Sequence, residues 1–323
     1  MATERRPAER KPAVLITGKL PSSVVRRLEE TCDVDVFRGD GPMPRADLVA
    51  RVAGKQALLS LITDAVDQAV IDAGQDLRII ANVAVGYNNV DVAAARARGI
   101  VVSNTPDVLT DATADMTWAL ILAVTRRVAE GDRLIRAGGW NRWSMDFMLG
   151  TELRGKQLGV VGFGRIGRAV AERGRAFGMR IACASRSPVR DTDVESMPLD
   201  RLLATSDVVS LHLPLGPETR HLIGQPQLAR MKRGAYLVNT SRGPVVDEAA
   251  LAWALSQGLI GGAGLDVFED EPRVHAGLMQ LANVVLTPHL GSATVDTRTA
   301  MADLAASNAL AVLGGQAPLT PVA

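Results

Sequence analysis

The sequence predicts an α/β protein made of two doubly wound parallel-sheet domains with a cleft between them. Three observations predict it. Short apolar runs of strand length alternate with helical stretches along nearly the whole chain, the pattern of parallel sheets covered on both faces. The chain has 323 residues, long for one domain. One stretch, Gly159–Gly167, reads Gly-Val-Val-Gly-Phe-Gly-Arg-Ile-Gly and fits a strand that runs through a glycine turn into a helix.

Taken in order, Ala13–Thr17, Val34–Phe37, Ala57–Ile62, Ile79–Val83 and Ile100–Val102 are predicted strands. Between them Pro21–Glu30, Arg45–Val52, Val66–Ala73 and Val90–Arg98 suit helices, with Val24, Val25 and Leu28 on one face of the first. Thr105-Pro106 breaks the alternation. Asp111–Ala137 then reads as one long helical stretch, apolar at Met116, Leu120, Val124 and Val128. It is expected to cross between the domains and to offer a subunit contact. Trp140, Trp143, Phe147 and Met148 follow in irregular chain. Residues 158–161 form a strand, Arg165 begins a helix that Gly178 ends, and Arg180–Ala184 is the next strand. Strands at Val208–Leu211, Tyr236–Asn239, Ala263–Val267 and Val284–Thr287 alternate with helices near Gln225–Met231 and Asp247–Gln257. A last helix, about Ser292–Leu313, is placed to carry the chain back. Residues 1–104 and 293–323 are therefore expected to form a discontinuous substrate-binding domain, and 105–292 the dinucleotide-binding domain.

Composition narrows the function. Hydrophobic residues at 47% and charged residues at 22% give ample core for a soluble protein. A net charge of +1 and only 3% aromatics argue against a nucleic-acid surface. No apolar run spans a bilayer, and no membrane partner is expected. Met1–Pro12 is charged and lacks an apolar core, so it is expected to be a frayed tail rather than a secretory signal. Two cysteines, Cys32 and Cys183, make no disulfide framework and fit a reducing cytoplasm. No metal site is expected.

The glycine stretch carries the first chemistry. Gly162, Gly164 and Gly167 have the spacing G-x-G-x-x-G. A first glycine there makes the tight turn, the second lets backbone approach a pyrophosphate, and the third packs helix on sheet. The diphosphate rests on unpaired N–H groups at the helix start. Spacing alone is weak, since a glycine-rich chain produces it by chance. The strand–turn–helix–strand setting is what points to a dinucleotide. The turn Gly162–Gly167, with Phe163, Arg165 and Ile166, is thus the expected cofactor site. An NAD enzyme normally has an acid at the end of the second strand, bonded to the ribose hydroxyls. Here Arg180–Ala184 runs into Ser185-Arg186-Ser187-Pro188, and no acid occurs before Asp191. Two hydroxyls and a planar cation suit a 2′-phosphate, so NADPH is expected to be preferred, with NADH usable.

Three later strands also end in polar residues: Thr240-Ser241-Arg242-Gly243, Phe268-Glu269-Asp270-Glu271-Pro272 and Pro288-His289. The carboxyl ends of strands form the ligand crevice of a doubly wound sheet. An arginine, an acid and a histidine should then meet beside the nicotinamide end of the dinucleotide. Hydride transfer to a 2-oxo acid needs such a set. A cation holds the carboxylate, a histidine gives the proton, and a carboxylate keeps the histidine protonated. Taken singly, each has a plainer reading: a solvated arginine, an acidic turn over Glu269–Glu271, a satisfied core histidine. His212 at a strand end, and His221 and His275 in loops, are not expected to take part.

Six segments together are recognisable. They are Val160–Gly167; Asn239-Thr-Ser-Arg-Gly-Pro-Val-Val-Asp247; Gly262-Ala-Gly-Leu-Asp-Val-Phe-Glu-Asp-Glu-Pro272; Leu286-Thr-Pro-His-Leu-Gly-Ser-Ala293; Ala84-Val-Gly-Tyr-Asn-Asn-Val-Asp91; and Asn104–Asp115. The first four resemble the D-isomer-specific 2-hydroxyacid dehydrogenases, and the last two look most like the glyoxylate/hydroxypyruvate reductase branch. The likeness runs from about Ala13 to the last helix. It implies a Rossmann cofactor domain beside a flavodoxin-like substrate domain. It implies that Arg242 binds the substrate, Glu271 partners the histidine and His289 donates the proton. The Val85 and Gly86 amides would cradle the substrate carboxylate. Thr240, Ser241, Asp266, His289 and Gly291 would contact the cofactor, with Asp266 facing the nicotinamide carboxamide. A homodimer built largely from the cofactor domain is implied too. Two departures lie away from the chemistry. Asn88 stands where this branch often has aspartate, and Ser144-Met145 lacks a proline common after that tryptophan. Trp143–Leu149 lies near where a partner subunit would close the pocket. Other readings are a dehydrogenase of D-lactate or 3-phosphoglycerate, and a dinucleotide-sensing protein like the transcriptional co-repressors of this fold. A phosphoglycerate enzyme would want more cations and often a regulatory domain, for which no room is expected after the last helix. The co-repressors would carry a long tail with partner motifs, and none is expected here.

Overall fold

In the computed structural model, which describes residues 11–322, apolar strands gather into two sheets of five and seven strands, and every pairing between named strands is parallel. The chain divides into two units. One runs to Leu109 and resumes at Thr294; the other is Thr110–Ala293. The expected frayed start lies, as far as Arg10, outside the described residues.

The first unit contains β1 (Ala13–Ile16), α1 (Ser22–Glu29), β2 (Asp33–Val36), α2 (Arg45–Arg51), β3 (Ala57–Ser60), α3 (Gln68–Ala73), β4 (Ile79–Asn82), α4 (Val92–Ala97) and β5 (Val101–Ser103). Its sheet has the order β2-β1-β3-β4-β5, the flavodoxin-like arrangement. Two helices begin later than expected because an aspartate caps each one. Asp67 accepts from the Ala69 and Val70 N–H groups, and Asp91 from that of Ala94. Val66 and Val90 just before them form a parallel bridge instead.

The second unit contains α5 (Thr110–Thr125), α6 (Val128–Arg136), β6 (Gln157–Val161), α7 (Arg165–Ala176), β7 (Arg180–Ala184), β8 (Val194–Ser196), α8 (Leu199–Thr205), β9 (Val208–Leu211), α9 (Gln225–Arg230), β10 (Tyr236–Asn239), α10 (Glu248–Ser256), β11 (Gly262–Leu265), α11 (Ala276–Met279) and β12 (Val284–Leu286). The order β12-β11-β10-β9-β6-β7-β8 is that of a Rossmann sheet, reversing direction between β6 and β9. The final helix, α12 (Val295–Leu313), belongs to the first unit. Its Ala302, Ala305, Ala306 and Ala309 form an i, i+3, i+4, i+7 stripe in the same core as Val14, Ile16, Leu59 and Ile79.

Three expectations need correction. The long helix at 111–137 is two helices, because Arg127 takes a left-handed φ of 54°. Thr151 N–H also caps the end of α5 by donating to Thr125 O at 2.8 Å. α5 lies wholly within the second unit, its apolar faces buried there, whereas α6 has no buried residue. The division between units falls after Leu109 and Ala293 rather than at 104/105 and 292/293. Thr105 N–H donates to Ala84 O at 2.9 Å and keeps that segment with the first unit. Among the described residues no helix is long and apolar enough to cross a membrane.

Candidate active site

The glycine turn leaves β6 with Gly162 at φ 89°, where an added Cβ would stand 2.3 Å from His212 O. A Cβ on Gly167 would stand 2.2 Å from Gly162 O, so α7 packs directly on the turn. Gly164 caps α7 in extended backbone, and a Cβ there would meet nothing within 4 Å. No acid lies in the first turn of α7. The helix start therefore offers N–H groups to open space and no opposing charge, which fits a dinucleotide diphosphate. Phe163 and Ile166 send their side chains into the core, with the Arg168 guanidinium 4.9 Å from the Phe163 ring, so they face a ligand only with backbone. At the end of β7, the Ser185 and Ser187 hydroxyls have no hydrogen-bond partner among the described residues. Arg186 is exposed and paired with Glu218 at 3.0 Å. A carboxylate is therefore present at this loop, contributed by the chain after β9.

Strands β10, β11 and β12 are neighbours, and the loops after them carry Arg242, Glu271 and His289. Buried Asn239 shapes the first loop. Its Nδ2 donates to Arg242 O at 2.9 Å, and its Oδ1 accepts from Ser241 N and Oγ at 3.0 and 2.8 Å. Thr240 Oγ1 lies 2.8 Å from Thr117 Oγ1, tying the loop to α5. Asp266, 1% exposed, shapes the last loop. Its Oδ1 accepts from Leu290 N and Thr287 Oγ1 at 2.7 and 2.6 Å, and its Oδ2 from Gly291 N at 2.7 Å. His289 N–H donates to Asp266 O at 2.9 Å, within a turn where His289 itself has φ 53°.

Glu271 and His289 meet directly, Oε2 to Nδ1 at 2.9 Å. A hydrogen on Nδ1 donates to the carboxylate and leaves Nε2 for an external partner. The other carboxylate oxygen accepts from Phe268 N at 3.0 Å. Burial pushes the Glu271 carboxyl up, but the His289 hydrogen bond and charge, the Phe268 N–H and the Arg242 charge outweigh it and hold it below the usual carboxylate range. Burial pulls the Arg242 guanidinium down and the Glu271 charge opposes this; it remains a cation at neutral pH. His212 is the contrast. Burial pushes it down to about 3, so it is neutral at working pH, and its Nε2 lies 2.8 Å from Ser210 Oγ.

Within the first unit, Asn104 Nδ2 donates to Val85 O at 2.8 Å and Asn82 Nδ2 to Gly86 O at 2.9 Å. The carbonyls of this turn are thus held by side chains, while the Val85 and Gly86 N–H groups have no acceptor among the described residues.

Comparison with known proteins decides what this site belongs to. Residues 118–291 match the D-isomer specific 2-hydroxyacid dehydrogenase, NAD binding domain. The chain is 48% identical over 314 residues to a glyoxylate reductase of Korarchaeum cryptofilum, covering 95% of each protein. The chain belongs to the D-isomer specific 2-hydroxyacid dehydrogenase family. It resembles the crystal structure of the TT0316 protein from Thermus thermophilus with a TM-score of 0.92 and 48% identity, over 96% of this chain and 100% of that one. An NADPH-dependent glyoxylate/hydroxypyruvate reductase from Sinorhizobium meliloti, crystallised with NADP and malonate, superposes with a TM-score of 0.87 at 37% identity, over 97% of each chain. This dehydrogenase is an NAD(P)-dependent oxidoreductase.

The fold brings Arg242, Glu271 and His289 of the dehydrogenase together on adjacent strand ends. It separates the three acids of the Glu269–Glu271 turn by partner: Glu269 faces His221, Asp270 faces Arg273, and Glu271 faces His289. Gly291 is engaged through its amide by Asp266. That carboxylate uses three of about four acceptor positions on the loop after β12, leaving one on Oδ2. Sequence reasoning missed three contributors. Asn239 had a readable signal, an asparagine opening a polar turn. Glu218 and Glu248 had none, because each acts across a distant pairing.

Proposed function

We propose that this dehydrogenase reduces a small 2-oxo acid, glyoxylate or hydroxypyruvate, to glycolate or D-glycerate with NADPH. The observation that carries the reading is the Glu271–His289 pair, at 2.9 Å, on the strand end beside that of Arg242. In this reading the chemistry supplied by a bound dinucleotide is hydride for C2 of the acid. His289, as imidazolium, gives its Nε2 proton to the carbonyl oxygen. Glu271 favours that charged form and holds the ring through Nδ1. Arg242 orients the acid through its planar cation. The Gly162–Gly167 turn would seat the diphosphate, and Thr240, Ser241, Asp266 and Gly291 would lie on the nicotinamide side. Relatives named glyoxylate reductase, and one structure named as NADPH-dependent, support the substrate class and cofactor.

For the preference, Ser185, Arg186 and Ser187 would meet the 2′-phosphate, with Arg186 exchanging Glu218 for it. The reading also includes a homodimer. Val128, Ile135, Trp143, Met145 and Leu149 are all more than half exposed, Trp143 at 72%, an apolar surface that a second copy would cover. Buried free thiols at Cys32 and Cys183 fit a cytoplasmic protein. The test is turnover of glyoxylate, hydroxypyruvate, pyruvate and 3-phosphohydroxypyruvate with each cofactor. The first two with NADPH should give the highest kcat/KM. Higher kcat/KM for either of the others, or for NADH, would overturn the corresponding part.

A further inference from the structure

We propose that Glu248 is a positioning residue for the proton-donating pair: its buried carboxylate holds both ends of the loop that carries Glu271, and so sets Glu271 against His289. The proposal rests on the reading of that pair given above.

Glu248 opens α10 and is 5% exposed. Its Oε1 accepts from Glu269 N at 2.6 Å and its Oε2 from His275 N at 3.2 Å. These two amides bracket the loop, and Glu271 lies between them. The loop's own bonds are short-range: Arg273 N to Asp270 O at 2.9 Å and Phe268 N to Glu271 Oε1 at 3.0 Å. Two donors converge on two oxygens, so the site specifies a carboxylate. A glutamine would turn one NH₂ toward an N–H donor, and an aspartate is one methylene too short to span both.

A second contact aligns the same loop with Arg242. A Cβ on Gly243 would stand 1.8 Å from the carbonyl carbon of Phe268, so the backbone after Arg242 lies directly against the backbone that leads to Glu271. α10 starts a few residues further on, with Asp247 capping it through Ala250 N at 2.9 Å. The helix start that carries Glu248 is therefore fixed relative to Arg242, and Glu248 passes that placement on to Glu271. Proton transfer is sensitive to such placement, since a misplacement of about 1 Å can cost about 10² in rate.

The experiment compares wild type, Glu248→Gln, Glu271→Gln and the double variant. It measures kcat, KM for glyoxylate, NADPH affinity, the pH–rate profile of reduction, and hydrogen exchange of peptides spanning 268–275. Glu248→Gln should lower kcat by roughly 10- to 10²-fold with NADPH affinity unchanged. Its alkaline limb should move to lower pH, the sense expected for Glu271→Gln. The double variant should show no further displacement beyond Glu271→Gln, because Glu248 acts only through Glu271. Exchange across 268–275 should quicken. A residue that served stability alone would lower Tm and leave the limb and kcat of the folded enzyme in place, and that result overturns the proposal. If Glu248→Gln does not fold, Glu248→Asp, which keeps the charge and reaches one amide, should give a smaller displacement of the same sense; an unmoved limb there also overturns it. If wild type turns over no 2-oxo acid, the functional reading fails on its own. Hydrogen exchange then decides the hold on the loop, and unchanged exchange in Glu248→Gln refutes it.

Discussion

At one end of the second unit's crevice, Arg242, Glu271 and His289 stand in loops after adjacent strands, and the buried side chains of Asn239, Glu248 and Asp266 fix the backbone of those loops. At the other end, Ser185, Arg186 and Ser187 follow β7; among the described residues neither hydroxyl has a partner, and the Arg186 side chain, 79% exposed, pairs with Glu218. The difference matches the work proposed for each end. In the proposed reaction, proton donation and carboxylate orientation would fail when atoms move by a fraction of an ångström, and the loops that carry those groups are held by short bonds to buried side chains. Recognition of a phosphate by an exposed cation tolerates motion, and its strength is small and open to salt.

Substitutions at the two ends should differ accordingly. The largest effect is expected for His289→Ala, which should lower kcat by roughly 10²–10⁴-fold, the range for loss of a general acid, with NADPH affinity nearly unchanged. Near-normal turnover in the folded variant would move the acid elsewhere. Arg242→Lys should come next. It keeps the charge but loses the planar fork, so KM for glyoxylate should rise by about tenfold. If KM and kcat both stay within about twofold, the carboxylate is held by another group. The smallest effect belongs to the exposed end. Arg186→Ala should raise KM for NADPH by about fivefold, leave NADH largely unaffected, and matter less at high salt. A loss as large as that of Arg242→Lys, insensitive to salt, would erase the contrast between the two ends.

Much of this was legible in the residues. Apolar runs of four or five residues separated by helical stretches specify parallel sheets, and the polar residues just past those runs mark the crevice. The break between α5 and α6 was not legible, because Thr125–Val128 has no glycine or proline. The chain turns there through Arg127 and a cap from Thr151, a contact made only in the folded unit. β8 was missed because Val-Glu-Ser is too short to carry a period. Arg242, Glu271 and His289 could be found from their place after strands. What holds them could not: Glu248 bonds backbone amides 21 and 27 residues away, and Asp266 those 24 and 25 residues away. Such bonds leave no mark in local spacing. Glu218 reaches Arg186 across 32 residues, so a loop that reads as free of acid has one beside its cation.

The central claim is that Glu271 pairs with His289 and aims it as the proton donor. The most direct test is the pH dependence of kcat for glyoxylate reduction in wild type and Glu271→Gln. Glu271 is held below the usual carboxylate range, so it is anionic at neutral pH, with its Oε2 2.9 Å from Nδ1 of the His289 ring. Glutamine removes the charge. The alkaline limb should therefore move to lower pH, and kcat at its plateau should fall. A limb that stays where it is in wild type would show that the proton is held by another group, and would contradict the account.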